Sequence, residues 1–215
     1  MKPLSACRLY TFVDTAYLDG RDPVDLACRL CEGGADLVQV RAKGMPESTV
    51  RLLAESILPV TRAAGVRLVI NDHLGIAQSL GAEVCHLGQE DFFEAGHRKV
   101  ADLVPSEPRV EFGLSTHAPD QAVRAVEAGP DYIAVGPVFD TATKPGRPAV
   151  TLEYVRWAAA NVSIPWFAIG GITLGNLDAV LDAGATRICV VSAILRTPDV
   201  AGACRDFLRR LPAAS

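Results

Sequence analysis

Two apolar, strand-like runs of this chain each lead to a carboxylate. The first is Arg67-Leu68-Val69-Ile70-Asn71-Asp72, and the second is Glu83-Val84-Cys85-His86-Leu87-Gly88-Gln89-Glu90-Asp91. The stretch between them has the length of one helix, so Asp72 and Asp91 are expected at the ends of neighbouring parallel strands, facing one rim of a sheet or barrel. Two convergent carboxylates suit either a hard divalent cation or acid–base chemistry. Taken singly, an acid here would instead form a turn or cap a helix.

Other chemistry-bearing residues also follow apolar runs. Gln39-Val40-Arg41-Ala42-Lys43 places Arg41 and Lys43 on one side by strand alternation, where two cations at a strand mouth meet an anion. Ser115-Thr116-His117 is a compact polar cluster in which His117 is either a general base or a capping residue. The loop from Gly136 to Gly146, rich in Gly, Pro and Thr and carrying Lys144, suits phosphate oxygens. Gly170-Gly171 alone would mark only a tight turn. Followed by Val191-Ser192 opening a later helix, it has the order of a phosphate site built from backbone N–H groups.

The elements that must carry these residues show in a junction repeated four times: a helix-closing Gly, a small residue, then an apolar strand. The copies begin at Gly34, Gly81, Gly129 and Gly184. Further strands are expected at residues 8–13, 67–70, 109–114 and 165–169, with helices including residues 47–64, 119–128 and 152–160. Eight βα units over 215 residues predict one domain, a compact (β/α)8 TIM barrel with a short C-terminal tail. An open doubly wound sheet is the alternative, but no dinucleotide-type glycine motif opens the chain.

Composition narrows the partners. The chain is 49% hydrophobic and 21% charged with net charge −4, that of an ordinary soluble protein. No apolar run reaches membrane-spanning length and no signal-peptide core follows Met1, so a cytoplasmic protein is expected. No basic stripe with interleaved aromatics points to nucleic acid. Of the six cysteines, Cys28 and Cys31 form a C-x-x-C, but without a second pair it reads as a helix face rather than a zinc or redox site.

With Asp72 and Asp91 negative, and Arg41, Lys43 and Lys144 positive beside a separate phosphate cradle, the pattern is that of a metal-bridged polyanion. The substrates it implies are a diphosphate and a second, phosphorylated molecule.

These motifs in this order resemble those of thiamine phosphate synthases, over residues from about 8 to 194. The resemblance rests on Gln39–Lys43 taken together, Asn71-Asp72, His86-Leu87-Gly88-Gln89-Glu90-Asp91, Ser115-Thr116-His117, Val135-Gly136-Pro137-Val138-Phe139, Thr141-Ala142-Thr143-Lys144 and Ala168-Ile169-Gly170-Gly171-Ile172-Thr173. It implies a transferase that condenses hydroxymethylpyrimidine diphosphate with a thiazole phosphate, free or carboxylated, releasing diphosphate. Gln39, Val40, Arg41, Ala42, Lys43, Asn71, Ser115 and Lys144 would hold the pyrimidine diphosphate. Thr141, Ala142, Thr143, Gly171, Val191 and Ser192 would hold the thiazole phosphate, and Asp72 and Asp91 one Mg2+ per subunit. A dissociative reaction is implied, in which a pyrimidine-methyl cation is captured by the thiazole nitrogen. A homo-oligomer is compatible with the pattern.

The chain departs from the family pattern at Ala42 (commonly acidic), His73 (often Arg), Asp140 (often Pro) and Thr151 (usually Gly). Two other readings compete: a thiazole tautomerase using His117, and a non-catalytic barrel that binds thiamine intermediates. A tautomerase has no use for a Mg2+ pair, and the intact charge set favours the synthase.

Overall fold

The computed structural model describes residues 1–103, 110–140 and 150–213. Eight parallel strands close in sequence order into a TIM barrel. They are β1 (Leu9–Asp14), β2 (Leu37–Arg41), β3 (Arg67–Asn71), β4 (Val84–Gly88), β5 (Glu111–Thr116), β6 (Tyr132–Val135), β7 (Trp166–Ile169) and β8 (Ile188–Cys189). The helices that lie between and after them are α1 (Pro23–Glu32), α2 (Glu47–Ala63), α3 (Leu74–Leu80), α4 (Gln89–Glu94), α5 (Pro119–Glu127), α6 (Thr151–Asn161), α7 (Leu177–Asp182), α8 (Ser192–Leu195) and α9 (Val200–Arg210). No helix among the described residues is long and apolar enough to cross a membrane.

The repeated junction does what its chemistry requires. Gly34, Gly81, Gly129 and Gly184 all take positive φ, at +88°, +66°, +81° and +97°, the left-handed turn that releases the chain from helix to strand. Three copies carry an acid two residues on, and each acid ties down the start of the preceding strand. Asp36 Oδ2 accepts from the Arg8 and Leu9 amides, Glu83 Oε2 from the Leu68 amide, and Asp131 Oδ2 from the Phe112 amide. These carboxylates therefore serve the N-terminal face of the barrel, the end away from the strand mouths.

Inside the barrel, alternation turns one residue in two inward. Tyr10, Tyr132 and Phe167 meet edge to face with ring centroids 5.5 to 6.1 Å apart, filling the centre beneath the mouth. Gly113 on β5 makes room for them, since a Cβ there would lie 2.1 Å from the Tyr132 ring. The outward faces of the strands pack on amphipathic helices. Val40 and Val38, for example, are fully buried on the side of β2 away from the barrel axis.

Two boundaries differ from the sequence reading. The run after β4 does not reach Asp91 as a strand: β4 stops at Gly88, and Asp91 sits in the first turn of α4 with Glu90. Acids there are favoured by the exposed N–H groups of a helix start. The last strand is short, although the Val190 amide still reaches Tyr10 O at 2.9 Å and prolongs the pairing. Cys28 and Cys31 lie on α1 as free thiols.

Candidate active site

At the C-terminal mouth a pocket of about 760 Å3, including open space at its entrance, is lined by residues from every strand or the loop that follows it. One wall carries Gln39, Arg41, Asn71 and Ser115; the opposite wall carries Gly171, Val191 and Ser192. His86, His117 and Phe12 complete much of the interior. Inward alternation explains the set, since Gln39 and Arg41 share one face of β2 while Val40 points outward. Val40 and buried Ala42 do not line the pocket, and the Ala42 carbonyl is taken by the Met45 amide at 3.1 Å. Lys43 lies beyond the strand end, exposed on the rim. Thr141, Ala142, Thr143 and Lys144 lie outside the described residues.

Arg41 owes its orientation to a residue outside the sequence motifs. Asp14 ends β1 directly opposite Arg41 in the strand register, and its Oδ2 accepts from Arg41 Nη1 at 2.7 Å. The other oxygen accepts from the Ala16 amide at 3.0 Å, fixing the carboxylate itself. Exposure is 1% for the Asp14 side chain and 11% for Arg41, so this is a nearly buried ion pair aimed at the pocket. The signal available in sequence is weak: one acid ending an apolar run.

The two carboxylates of the opening pattern stand near enough on the rim for the charge of Asp91 to act on Asp72. Asp72 directly follows β3 in the left-handed conformation at φ +64°, its amide held by His86 O at 2.9 Å and its Oδ2 by Asn71 Nδ2 at 2.6 Å. Desolvation raises the Asp72 pKa first, and the neighbouring charge of Asp91 raises it further, against the lowering effect of Lys43 and His73. Two like charges brought together in this way fit a hard cation. Among the described residues no third carboxylate, thiol or imidazole completes a ligand cage.

Across the mouth, β6 and β7 approach so closely that side chains are excluded. The Val138 amide donates to Ile169 O at 2.8 Å and the Phe139 amide to Gly170 O at 3.1 Å. A Cβ on Gly136 would lie 2.0 Å from Ile169 O, one on Gly170 2.5 Å from the Pro137 backbone, and one on Gly171 2.7 Å from Asp140 O. The Gly136–Pro137 peptide is cis. His117 is built into this wall: its Nδ1 bonds Gly136 O, its amide donates to Gln121 Oε1 at 2.8 Å, and its Nε2 lies 3.8 Å from Glu90.

A family profile described as thiamine monophosphate synthase matches residues 9–194, most of the chain. The chain belongs to the thiamine monophosphate synthase family. The thiamine-phosphate synthase of Thermus thermophilus is 49% identical over 193 residues, 87% of this chain and 88% of that protein. That of Acidothermus cellulolyticus is 42% identical over 214 residues, 99% of this chain and 98% of that one. The solved thiamine phosphate pyrophosphorylase of Pyrococcus furiosus superposes with a TM-score of 0.80 at 26% identity, covering 97% of this chain and 96% of its own. As a thiamine monophosphate synthase family member, the chain is a transferase.

Family membership gives the departures a structural meaning. Thr151 opens α6 with φ +64°, a conformation that costs a β-branched residue and that glycine adopts freely. Its Oγ1 accepts from the Glu153 amide at 3.3 Å, a partial compensation. Asp140 is exposed, and its carbonyl rather than its side chain is what packs against Gly171. Ala42 is buried, so an acid at this position would need a different local packing.

Proposed function

We infer that this chain is a thiamine-phosphate synthase that joins 4-amino-2-methyl-5-hydroxymethylpyrimidine diphosphate to a thiazole phosphate, with release of diphosphate. The observation that carries the reading is a single mouth with an Arg-bearing wall, a carboxylate pair on its rim and a glycine wall opposite. Two anionic substrates need that division, because each must be held by its own donors while their reacting atoms meet between them.

In this reading Gln39, Asn71 and Ser115 seat the pyrimidine. Arg41, held by Asp14, points a guanidinium at the diphosphate, and Lys43 adds a second cation from the rim. Asp72 and Asp91 would hold Mg2+. When bound, the ion supplies Lewis-acid neutralisation of the leaving oxygens. Gly171, Val191 and Ser192 present backbone and hydroxyl donors to the thiazole phosphate. The bond broken is C–O and the bond formed is C–N, so the enzyme's work is stabilising charge and aligning the nitrogen with the methylene carbon, with little proton transfer. The preorganised Arg41–Asp14 pair is in keeping with that demand.

The test is direct: incubate the protein with both substrates, with and without Mg2+, and assay for thiamine phosphate. Formation that depends on a divalent ion is expected. No product under any metal condition would sink the reading.

A further inference from the structure

Beneath the pocket, four polar side chains from four strands form one row across the barrel. Gln39 Nε2 donates to the Tyr10 hydroxyl at 2.6 Å, the Tyr10 and Tyr132 hydroxyls are 3.3 Å apart, and the Tyr132 hydroxyl lies 2.9 Å from His86 Nδ1. All four residues are buried, and the two ends of the row, Gln39 and His86, line the pocket. Gly113 is part of the construction, because a Cβ there would stand 2.5 Å from the Tyr132 hydroxyl oxygen.

Each hydroxyl has one hydrogen to give. Tyr10 accepts from Gln39, so its own hydrogen goes to Tyr132, and that of Tyr132 goes to His86 Nδ1. Neutral His86 then carries its ring proton on Nε2, and Gln39 turns its carbonyl oxygen away from Tyr10. If the Gln39 amide is flipped, every step reverses, and the ring proton of His86 moves to Nδ1. No other arrangement makes all three bonds and also gives each buried hydroxyl hydrogen an acceptor within the row. Burial holds both phenols well above the usual tyrosine range, so both keep the hydrogens that the row needs. The 3.3 Å step is the longest and therefore the weakest link.

We propose that Tyr10 and Tyr132 are positioning residues that couple the orientation of the Gln39 amide to the tautomer of His86, so that the two pocket walls carry matched donor and acceptor polarity. The consequence for substrate choice rests on the reading of Gln39 as a pyrimidine contact. With the amide as found, the row favours a heteroaromatic ring carrying an exocyclic amino donor beside a ring-nitrogen acceptor. A 4-oxopyrimidine, which reverses both, is disfavoured, because buried polar groups left unmatched are costly.

The coupling is tested without substrate by 15N NMR of the His86 imidazole, assigned by its loss in His86→Gln. Gln39→Glu puts an acceptor-only group at one end once the new carboxyl ionises, a state followed by its own 13C shift. In that state the proton of His86 is expected to move from Nε2 to Nδ1, across the barrel from the substitution. Adding Tyr10→Phe cuts the row, and His86 is expected to return to the Nε2–H form. An unmoved tautomer in Gln39→Glu, or the same switch in the double variant, would overturn the coupling. A second arm uses Tyr10→Phe alone: the ratio of kcat/KM for the 4-amino over the 4-oxo diphosphate is expected to narrow about tenfold, equivalent to one tautomer-setting contact of about 1.4 kcal/mol. An unchanged ratio overturns the consequence for substrate choice. Because the NMR arm needs no turnover, its failure is distinct from failure of the synthase reading.

Discussion

Removing the Asp14 carboxylate should damage both stability and substrate capture, by amounts the geometry sets. Breaking a buried ion pair by deleting one partner costs about 3–5 kcal/mol. Here Arg41 is 11% exposed at the pocket edge and can swing towards water, which reduces the cost to about 2 kcal/mol. Asp14→Ala also orphans the Ala16 amide, which donates to Oδ1 at 3.0 Å, adding about 1 kcal/mol. Asp14→Asn can keep that second bond and lose only the charge. Urea denaturation should therefore place Asp14→Asn about 2 kcal/mol and Asp14→Ala about 3 kcal/mol below the wild type. For a chain of this size that corresponds to a melting point roughly 4–12 °C lower. In steady-state assays a released guanidinium should raise KM for the pyrimidine diphosphate about 10–100-fold, with a smaller change in kcat, because the substrate itself supplies a counter-charge. If Asp14→Asn unfolds within 0.5 kcal/mol of the wild type, about the scatter of a neutral surface change, and its KM is unaltered, then Asp14 does not hold Arg41 in solution and the reasoning fails.

Other outcomes follow from particular contacts. Asp91→Ala should lose most activity, with excess Mg2+ restoring only part of it; turnover equal to wild type at limiting Mg2+ would move the ion elsewhere. Thr151→Asn, which tolerates left-handed backbone and can still accept from the Glu153 amide, should gain about 1 kcal/mol by thermal denaturation. Gly136→Ala forces a Cβ to 2.0 Å from Ile169 O and should cost about 3 kcal/mol or more, which soluble yield and melting temperature will register. Burial pushes the Cys7 thiol up to about 11 and those of Cys85 and Cys204 to about 12, so at pH 8 these three stay protonated. Mass spectrometry after alkylation of the native protein should find them unmodified, and labelled only after unfolding.

The barrel was legible because its punctuation is local: four helix-closing glycines each needed a left-handed backbone, and each is followed by a run that pairs where the spacing puts it. The inward residues of β2, Gln39 and Arg41, were legible for the same reason, since alternation decides a strand's faces. Asp91 was misplaced by three residues because a strand that stops at glycine and a helix that starts with acids read alike when the apolar pattern is short. Asp14 escaped notice because its meaning comes from Arg41 across the strand pair, 27 positions away in sequence. The Tyr10–Tyr132 contact spans 122 positions, and no periodicity records such a meeting inside a barrel. Thr151 is the converse case: its departure from glycine was visible in the sequence, while the φ of +64° that makes it matter was not.

The glycine seam between β6 and β7 also limits how this pocket can be remodelled. Gly136, Gly170 and Gly171 admit no side chain without moving backbone, so this side of the mouth is a template of fixed shape rather than a surface open to substitution. A redesign for a bulkier second substrate would have to carve its space from Val191, Ser192 and the helix they open, leaving the seam as the datum from which the new pocket is measured.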